Sequence, residues 1–294
     1  MPRAIASIRL AVPVLALLAV AACAPADEDE PTTSGETASG SPSDECAPDN
    51  LPTLTPGTLT MATDEPVFEP WFVDDDPANG QGFEGAIAAA LAEQMGFTPE
   101  QVEWVRVPFN AAIQPGPREF DFDINEFSIT DERREAVDFS APYYDVTQAV
   151  IALDGTPAAD ATSVADLAGV KLGAQVDTTS LSAIEDVVQP TTEPAVYNTN
   201  DEAKLALTNG QIDALVLDLP TAFFVTAAEI DGSRIVGQLP ASGDAPEQFG
   251  LVLDKDSPLT ECVSQAVEAL EADGTLEDIV QEWLAETAGA PVLE

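Results

Sequence analysis

The 294-residue chain sets 10 Lys plus Arg against 53 Asp plus Glu, a formal charge of −43, and it has no histidine. The missing histidine excludes triads, general bases and metal sites built on imidazole, and so acidic a surface repels nucleic acid and anionic lipid. Three cysteines without CxxC spacing make zinc and thiol enzymes poor readings, leaving carboxylates, Lys and Tyr for any catalysis. The acidity suits a saline medium, because about 1 M salt shortens the Debye length to roughly 3 Å and screens self-repulsion. A compositional drift towards Asp, Glu and Ala would give the same count.

Along the chain, Arg3 and Arg9 precede an apolar run, residues 11–20 (AVPVLALLAV). At about ten residues this run is too short for a permanent span and reads as the core of an export signal. The Val20-Ala21-Ala22-Cys23 stretch that follows resembles the lipobox of bacterial lipoproteins. The likeness implies that residues 1–22 are cleaved and that the Cys23 thiol is lipidated, anchoring the chain to a membrane without spanning it. An ordinary signal peptide with a chance cysteine is the alternative. Removing Arg3 and Arg9 with the leader would take the charge from −43 to −45. Residues 24–45 are acidic, rich in Pro, Ser, Thr and Gly, and free of large apolar side chains, so 23–45 is expected to be a disordered tether. If Cys23 carries lipid, the even pair Cys46 and Cys262 suggests a disulfide in an exported protein; two unpaired thiols are the alternative.

Strand and helix signals then alternate. Residues 57–63 (GTLTMAT) alternate as a strand, 82–96 form an Ala-rich helix with a Gly stop, and 102–107 (VEWVRV) form a strand. Residues 122–127 read as a buried strand edge, with a helical turn starting at Ser128-Ile129-Thr130, and 148–152 as a strand. A second unit follows: strand 170–174, helix 200–210 capped by Asn200, strand 212–218, a helix opened by Pro220, and strand 249–253. The tail 262–284 has helical apolar spacing broken at Asp273-Gly274. This alternation predicts an α/β protein with parallel strands and two lobes flanking a cleft.

Six segments in order, residues 57–64, 82–96, 102–109, 120–144, 175–180 and 197–217, with the Ser-Ile-Thr-x-x-Arg stretch before Val-Asp-Phe-Ser-x-Pro-Tyr-Tyr as the most specific, resemble the family 3 solute-binding proteins. These are the amino-acid receptors of ABC importers, and the likeness covers about residues 57–287. It implies a type II periplasmic-binding-protein-like fold: parallel-sheet lobes joined by two hinge strands and closing on ligand. Lobe 1 would comprise residues 46–150 and 244–294 and lobe 2 residues 151–243, with crossings near 149–154 and 241–250. It also implies an extracytoplasmic, monomeric, non-enzymatic protein that holds a small amino acid and no cofactor, and that partners membrane permease subunits.

Carried over residue by residue, the resemblance makes Arg133 the grip on the ligand α-carboxylate, a planar fork suited to two charge-assisted hydrogen bonds. A helix-surface ion pair with Asp131 or Glu132 is the plainer reading. Arg134 has no family role and is expected on the surface beside Glu135 or Asp138. Asp218, at the end of a buried strand, would accept from the α-ammonium, or else cap the Pro220 helix. Thr178 and Thr179 match a Gly-Thr-Thr-Ser turn that meets the carboxylate, with Asp177 where Gly is usual. Ser128 matches another contact position. Phe68 and Trp71 would cover the ligand side chain or stack on a cation, or belong to the core. Glu126 stands where many relatives carry a small residue, and Asp64 where some meet a cationic side chain. Unpaired buried carboxylates are costly, so both acids facing the cleft favour a basic amino acid or related amine; Glu126 pairing with Arg106 or Arg118 would carry no such meaning. Two rival functions remain, a dehydratase-type enzyme using Glu126 and Asp218 as an acid pair and a sensory ligand-binding module.

Overall fold

The computed structural model describes residues 44–243, 245–285 and 289–294. The expected leader, Cys23 and all but the last two tether residues lie outside these. Asp44–Cys46 form a 3-10 turn. The first sheet has the order β2 (Val102–Arg106), β1 (Leu59–Thr63), β3 (Phe122–Asp123), β12 (Val252–Asp254), β4 (Val137–Phe139). Here β1 runs parallel to β2 and β3, and β12 runs antiparallel to β3 and β4. The second sheet has the order β10 (Ser233–Gln238), β6 (Gln148–Leu153), β9 (Ala214–Asp218), β7 (Leu172–Gln175), β8 (Ala195–Tyr197). In it β7 is parallel to β8 and β9, while β6 is antiparallel to β9 and β10. The parallel strands expected of both lobes are present, and each sheet also takes antiparallel members where the chain enters or leaves the lobe.

Each sheet is covered on both faces. On the first, α1 (Phe83–Gln94), α6 (Thr260–Ala272) and α7 (Thr275–Trp283) pack around Leu59, Met61 and Phe122. The opposite face buries Ala62, Phe127, Val252 and Phe109 from α2 (Phe109–Ala112). On the second, α3 (Thr179–Ala183) lies on the side of Val150 and Val216, while α4 (Asn200–Thr208) and α5 (Leu219–Phe224) lie on that of Ile151 and Leu215. Gly82 is required at the start of α1: its φ is +90°, and a Cβ there would meet the Trp71 carbonyl oxygen at 2.4 Å. That close approach seats the 65–72 loop against α1 and fixes one wall of the cleft.

The lobes are joined by a two-stranded antiparallel ribbon, β5 (Tyr144–Val146) with β11 (Glu247–Phe249). β6 belongs to the second sheet from Gln148 onward, so the first crossing lies ahead of residues 149–154. The single strand expected over 249–253 is two strands, β11 in the ribbon and β12 in the first sheet, separated at Gly250 and Leu251. α4 is capped by Thr199, whose Oγ1 accepts from the Glu202 N–H at 3.2 Å, with Asn200 as the first helical residue. Ser128-Ile129-Thr130 is not helical; the turn is a three-residue 3-10 segment, Arg133–Glu135. The last residues return to the second sheet rather than staying with the first. The Gln238 N–H donates to Pro291 O at 2.8 Å, the Leu293 N–H donates to Gln238 O at 2.9 Å, and Leu293 is buried beside Val236 and Leu239.

Cys46 and Cys262 form a disulfide with a Cα–Cα distance of 5.4 Å across 216 residues of sequence. It ties Cys46, near the start of the described residues, to α6. In the chain-entropy account so long a loop contributes at most about 5 kcal/mol. The Cys46→Ala/Cys262→Ala double variant is therefore expected to unfold at lower denaturant, with a stability loss of up to about 5 kcal/mol, and added reductant should destabilise the parent but not the variant.

Candidate functional site

A cleft opens at the carboxyl ends of the sheet strands, between the lobes. From the first lobe it takes Asp64, Phe68, Trp71, Glu126 and Arg133; from the second, Thr178, Thr179 and Asp218. Ser128 lies just behind, buried, with its Oγ 3.2 Å from Thr179 Oγ1. Sites at strand carboxyl ends are the usual place for ligands in α/β sheets. All nine nominated residues thus converge from separate elements.

Arg133 is 8% exposed and makes no ion pair with Asp131 or Glu132. Its Nη1 donates to Ser128 O at 2.7 Å and its Nη2 to Asp177 O at 2.8 Å, with its Cζ 5.4 Å from the Phe109 ring centroid. Burial opposes the guanidinium charge, and Glu247, Asp218 and Asp177 are the nearby charges that favour it. Asp177 has φ +61°, a left-handed backbone that favours Gly, and its carbonyl accepts from Arg133. Arg134 is exposed and stacks over Phe139 at 5.6 Å; Asp138 pairs with Lys255 instead, at 3.1 Å.

Asp218 closes β9 at the N-terminus of α5, but its side chain makes no capping bond. Its Oδ1 accepts from Gln148 Nε2 at 2.6 Å. Burial, then the Glu247 charge, hold its carboxyl well above the usual carboxylate range. Thr178 does cap α3, accepting from the Leu181 N–H at 3.2 Å and donating to Gln175 O at 2.7 Å.

Glu126 pairs with neither Arg106 nor Arg118. Arg106 is bonded to Asp75 and to the Asp64 carbonyl, and Arg118 to Asp254. Glu126 sits at φ +52°; its N–H donates to Glu84 Oε1 at 2.7 Å, and its Oε2 accepts from Thr221 Oγ1 at 2.9 Å. Thr221 Oγ1 also accepts from Trp71 Nε1 at 2.8 Å, so a three-residue chain of hydrogen bonds crosses the cleft. Burial, then Asp218, Glu84 and Asp64, push the Glu126 carboxyl well up. Asp64 accepts from the Glu65 and Phe109 N–H groups, and burial raises it too.

Of the two aromatics, Trp71 is core as well as cleft wall: 2% exposed and edge-on to Phe83 and Phe249 at 5.7 Å. Phe68 is half-buried and does meet a cation, Lys204 of the facing lobe, 4.7 Å from its centroid. Four residues escaped the sequence reading: Phe109, Gln148, Thr221 and Glu247. Phe109 lies in the recognisable 102–109 segment. The others meet the cleft residues by hydrogen bonds that tertiary packing sets and that leave no local pattern.

Beneath the cleft is a second group of acids. Glu84 is wholly buried; its Oε1 accepts from the Tyr143 hydroxyl and the Glu126 N–H, and its Oε2 has no partner. Burial lifts its carboxyl to about 7.

The family model described as bacterial extracellular solute-binding proteins, family 3, matches residues 59–286. The L-arginine-binding protein of Pseudomonas aeruginosa is 29% identical over 239 residues, 77% of this chain and 90% of that one. Among solved structures, an ancestral arginine-binding protein bound to arginine superposes with a TM-score of 0.63 and 31% identity, covering 77% of this chain and 97% of that one. An ancestral amino acid-binding protein described as a precursor of cyclohexadienyl dehydratase has a TM-score of 0.62 and 27% identity, covering 77% and 95%.

Glu84 yields a stability prediction. A carboxyl raised from 4.5 to about 7 on folding stabilises fully below its unfolded value, and the contribution is lost as pH rises through about 7. In constant high salt, which screens general repulsion, melting temperature should fall between pH 5 and pH 8. Glu84→Gln should flatten that slope; an unchanged slope would assign it to other acids.

Proposed function

The chain belongs to the bacterial extracellular solute-binding proteins of family 3, and from that premise we propose that it captures an amino acid, by preference a basic one, and delivers it to the permease of an ABC importer. The observation that carries this reading is the charge balance of the cleft. One buried guanidinium, Arg133, faces the carboxyls of Asp64, Glu126 and Asp218. The α-carboxylate of a ligand would lie on Arg133 beside Thr178, Thr179 and Ser128, and its α-ammonium on Asp218. A neutral zwitterion would balance those two and leave Asp64 and Glu126 unanswered. A cationic side chain would answer one of these carboxyls, and its apolar stem would lie along the cleft lined by Phe68 and Trp71.

Ligand bridging the lobes would favour the closed arrangement, and closure would present one shape to the permease. Capture needs no bond-breaking step, so the protein acts as a receptor and not an enzyme. Among the described residues no helix is long and apolar enough to cross a membrane. We assign membrane attachment on the extracytoplasmic side to lipid on Cys23, with residues 1–22 as the cleaved leader.

Two outcomes test the reading. L-arginine, L-lysine or L-ornithine should raise the melting temperature of the mature protein more than neutral or acidic amino acids do. At a hundredfold excess over Kd the stabilisation is about 2.7 kcal/mol, and Arg133→Ala should abolish it. A shift confined to neutral or acidic amino acids would overturn the basic preference. Calorimetric affinity for L-arginine should also rise from pH 5 to pH 8, since the raised carboxyls of Glu126 and Asp64 must ionise to hold a cation. Glu126→Gln should weaken binding and shrink the pH dependence together.

A further inference from the structure

Glu247 lies on the hinge strand β11, outside both sheets, and none of the motifs that mark the cleft includes it. Its carboxylate nevertheless joins the hydrogen bonds behind Thr179 and Asp218 of the cleft. Ser128 Oγ donates to Glu247 Oε1, and Gln148 Nε2 lies 3.2 Å from each of its oxygens. The same Gln148 nitrogen donates to Asp218 Oδ1 at 2.6 Å. Its orientation is fixed, because Gln148 Oε1 accepts from the Ser180 hydroxyl at 2.6 Å and the side chain is buried.

Two carboxylates therefore share one neutral amide nitrogen, which has only two hydrogens to give. Burial first, and then the Glu247 charge, raise the cost of ionising Asp218, and Glu247 is also the foremost charge acting on Arg133. A neutral donor does not balance two anions. A cation carrying three N–H donors, placed between them, would. An α-ammonium gathers three such donors on one compact centre.

We infer that Glu247 is a ligand-contacting, specificity-determining residue: with Asp218 and Gln148 it forms a two-carboxylate seat for the α-ammonium. The inference rests on the amino-acid reading of the cleft and extends it. One residue of the hinge ribbon thereby becomes a wall of the site. Because the Ser128 and Gln148 contacts come from opposite lobes, the seat is complete only when the cleft is closed. A ligand lacking the α-ammonium leaves the two anions facing each other and should be rejected for that reason, whatever its side chain.

The test is calorimetric titration of the mature protein and its Glu247→Gln variant with L-arginine and with 5-guanidinopentanoate, which keeps the guanidinium and the carboxylate but lacks the α-amine. Loss of a charge-assisted hydrogen bond corresponds to about 10- to 100-fold in affinity. The expected result is that Glu247→Gln weakens L-arginine by at least about tenfold more than it weakens the analogue. Equal loss for both ligands would make Glu247 a hinge residue and overturn the proposal, as would no loss for either. If Glu247→Gln fails to fold, Glu247→Asp, with its shortened carboxylate, is compared in the same way. If the wild type ignores L-arginine, the basic-ligand reading fails by itself. The Glu247 comparison then runs on whichever amino acid does bind, against its α-hydroxy analogue, with the same criteria. A wild type that binds no amino acid overturns both.

Discussion

A buried guanidinium governs this cleft. Arg133 cannot shed its proton, so its burial demands both hydrogen-bond acceptors and compensating charge. The acceptors are backbone carbonyls, Ser128 O from one lobe and Asp177 O from the other. They hold the side chain in place without neutralising it. The charge is answered by Glu247 on the hinge strand and by Asp218 across the cleft. Geometry and charge are thus supplied by different groups, and three of the five guanidinium hydrogens remain beyond these two bonds to grip a ligand anion. The left-handed turn at Asp177 and the unwound stretch at Ser128 both serve this one arrangement: each turns a carbonyl away from its own secondary structure and towards Arg133.

The carboxylates outnumber what Arg133 needs. Glu84, Asp123 and Glu126 sit near one another with carboxyls raised by burial first, and for Asp123 and Glu126 by the charge of neighbouring acids next. Asp123 is the extreme case: wholly buried on β3 between Ala62 and Val252, with neither oxygen hydrogen-bonded. Held protonated, such a group avoids the penalty of a buried charge and still carries that of an unsatisfied polar one, about 1–3 kcal/mol. An apolar residue there would make a more stable lobe. The acidity of this chain is therefore not only a surface property; it continues into the floor of the site, where no salt can screen it.

What the sequence displays and what it hides follow one physical division. Elements with their own local code are legible: the Ala-rich α1 with its Gly stop, the alternating β1 and β2, and the Gly274 break between α6 and α7 all match the pattern of side chains. The convergence of Arg133, Asp218, Thr178 and Thr179 on one cleft is readable only through the motifs they sit in, because β9 and the 120–144 stretch meet by tertiary packing. Features set by long-range pairing are silent. Nothing local says that residues 247–249 pair with 144–146 while 252–254 join another sheet; Gly250, where a Cβ would fall 2.8 Å from Ile129, marks the break only once the neighbour is known. Thr199 outcompetes Asn200 as a cap because its extended backbone aims Oγ1 at the Glu202 N–H, a choice of one residue that composition does not decide. Glu247 and Thr221 are the costliest omissions, being polar residues on unremarkable segments whose meaning comes wholly from closure.

Closure itself rests on a difference in kind between contacts. Within each lobe the apolar clusters are large and closed on themselves; none of the four joins the first sheet to the second. Across the cleft the contacts are polar or cation–π: Trp71 and Glu126 to Thr221, Ser128 to Thr179, Arg133 to Asp177, Lys204 to Phe68. A hydrogen bond nets only about 0.5–1.5 kcal/mol because water can replace it, whereas burying one large apolar side chain is worth about 1.5–3 kcal/mol. The lobes therefore stay rigid while the seam between them is exchangeable for water at little net cost. On the proposed function, a micromolar ligand would bring about 8 kcal/mol, more than any single contact of the seam, so occupancy of the cleft rather than apolar packing would decide whether the lobes stay together.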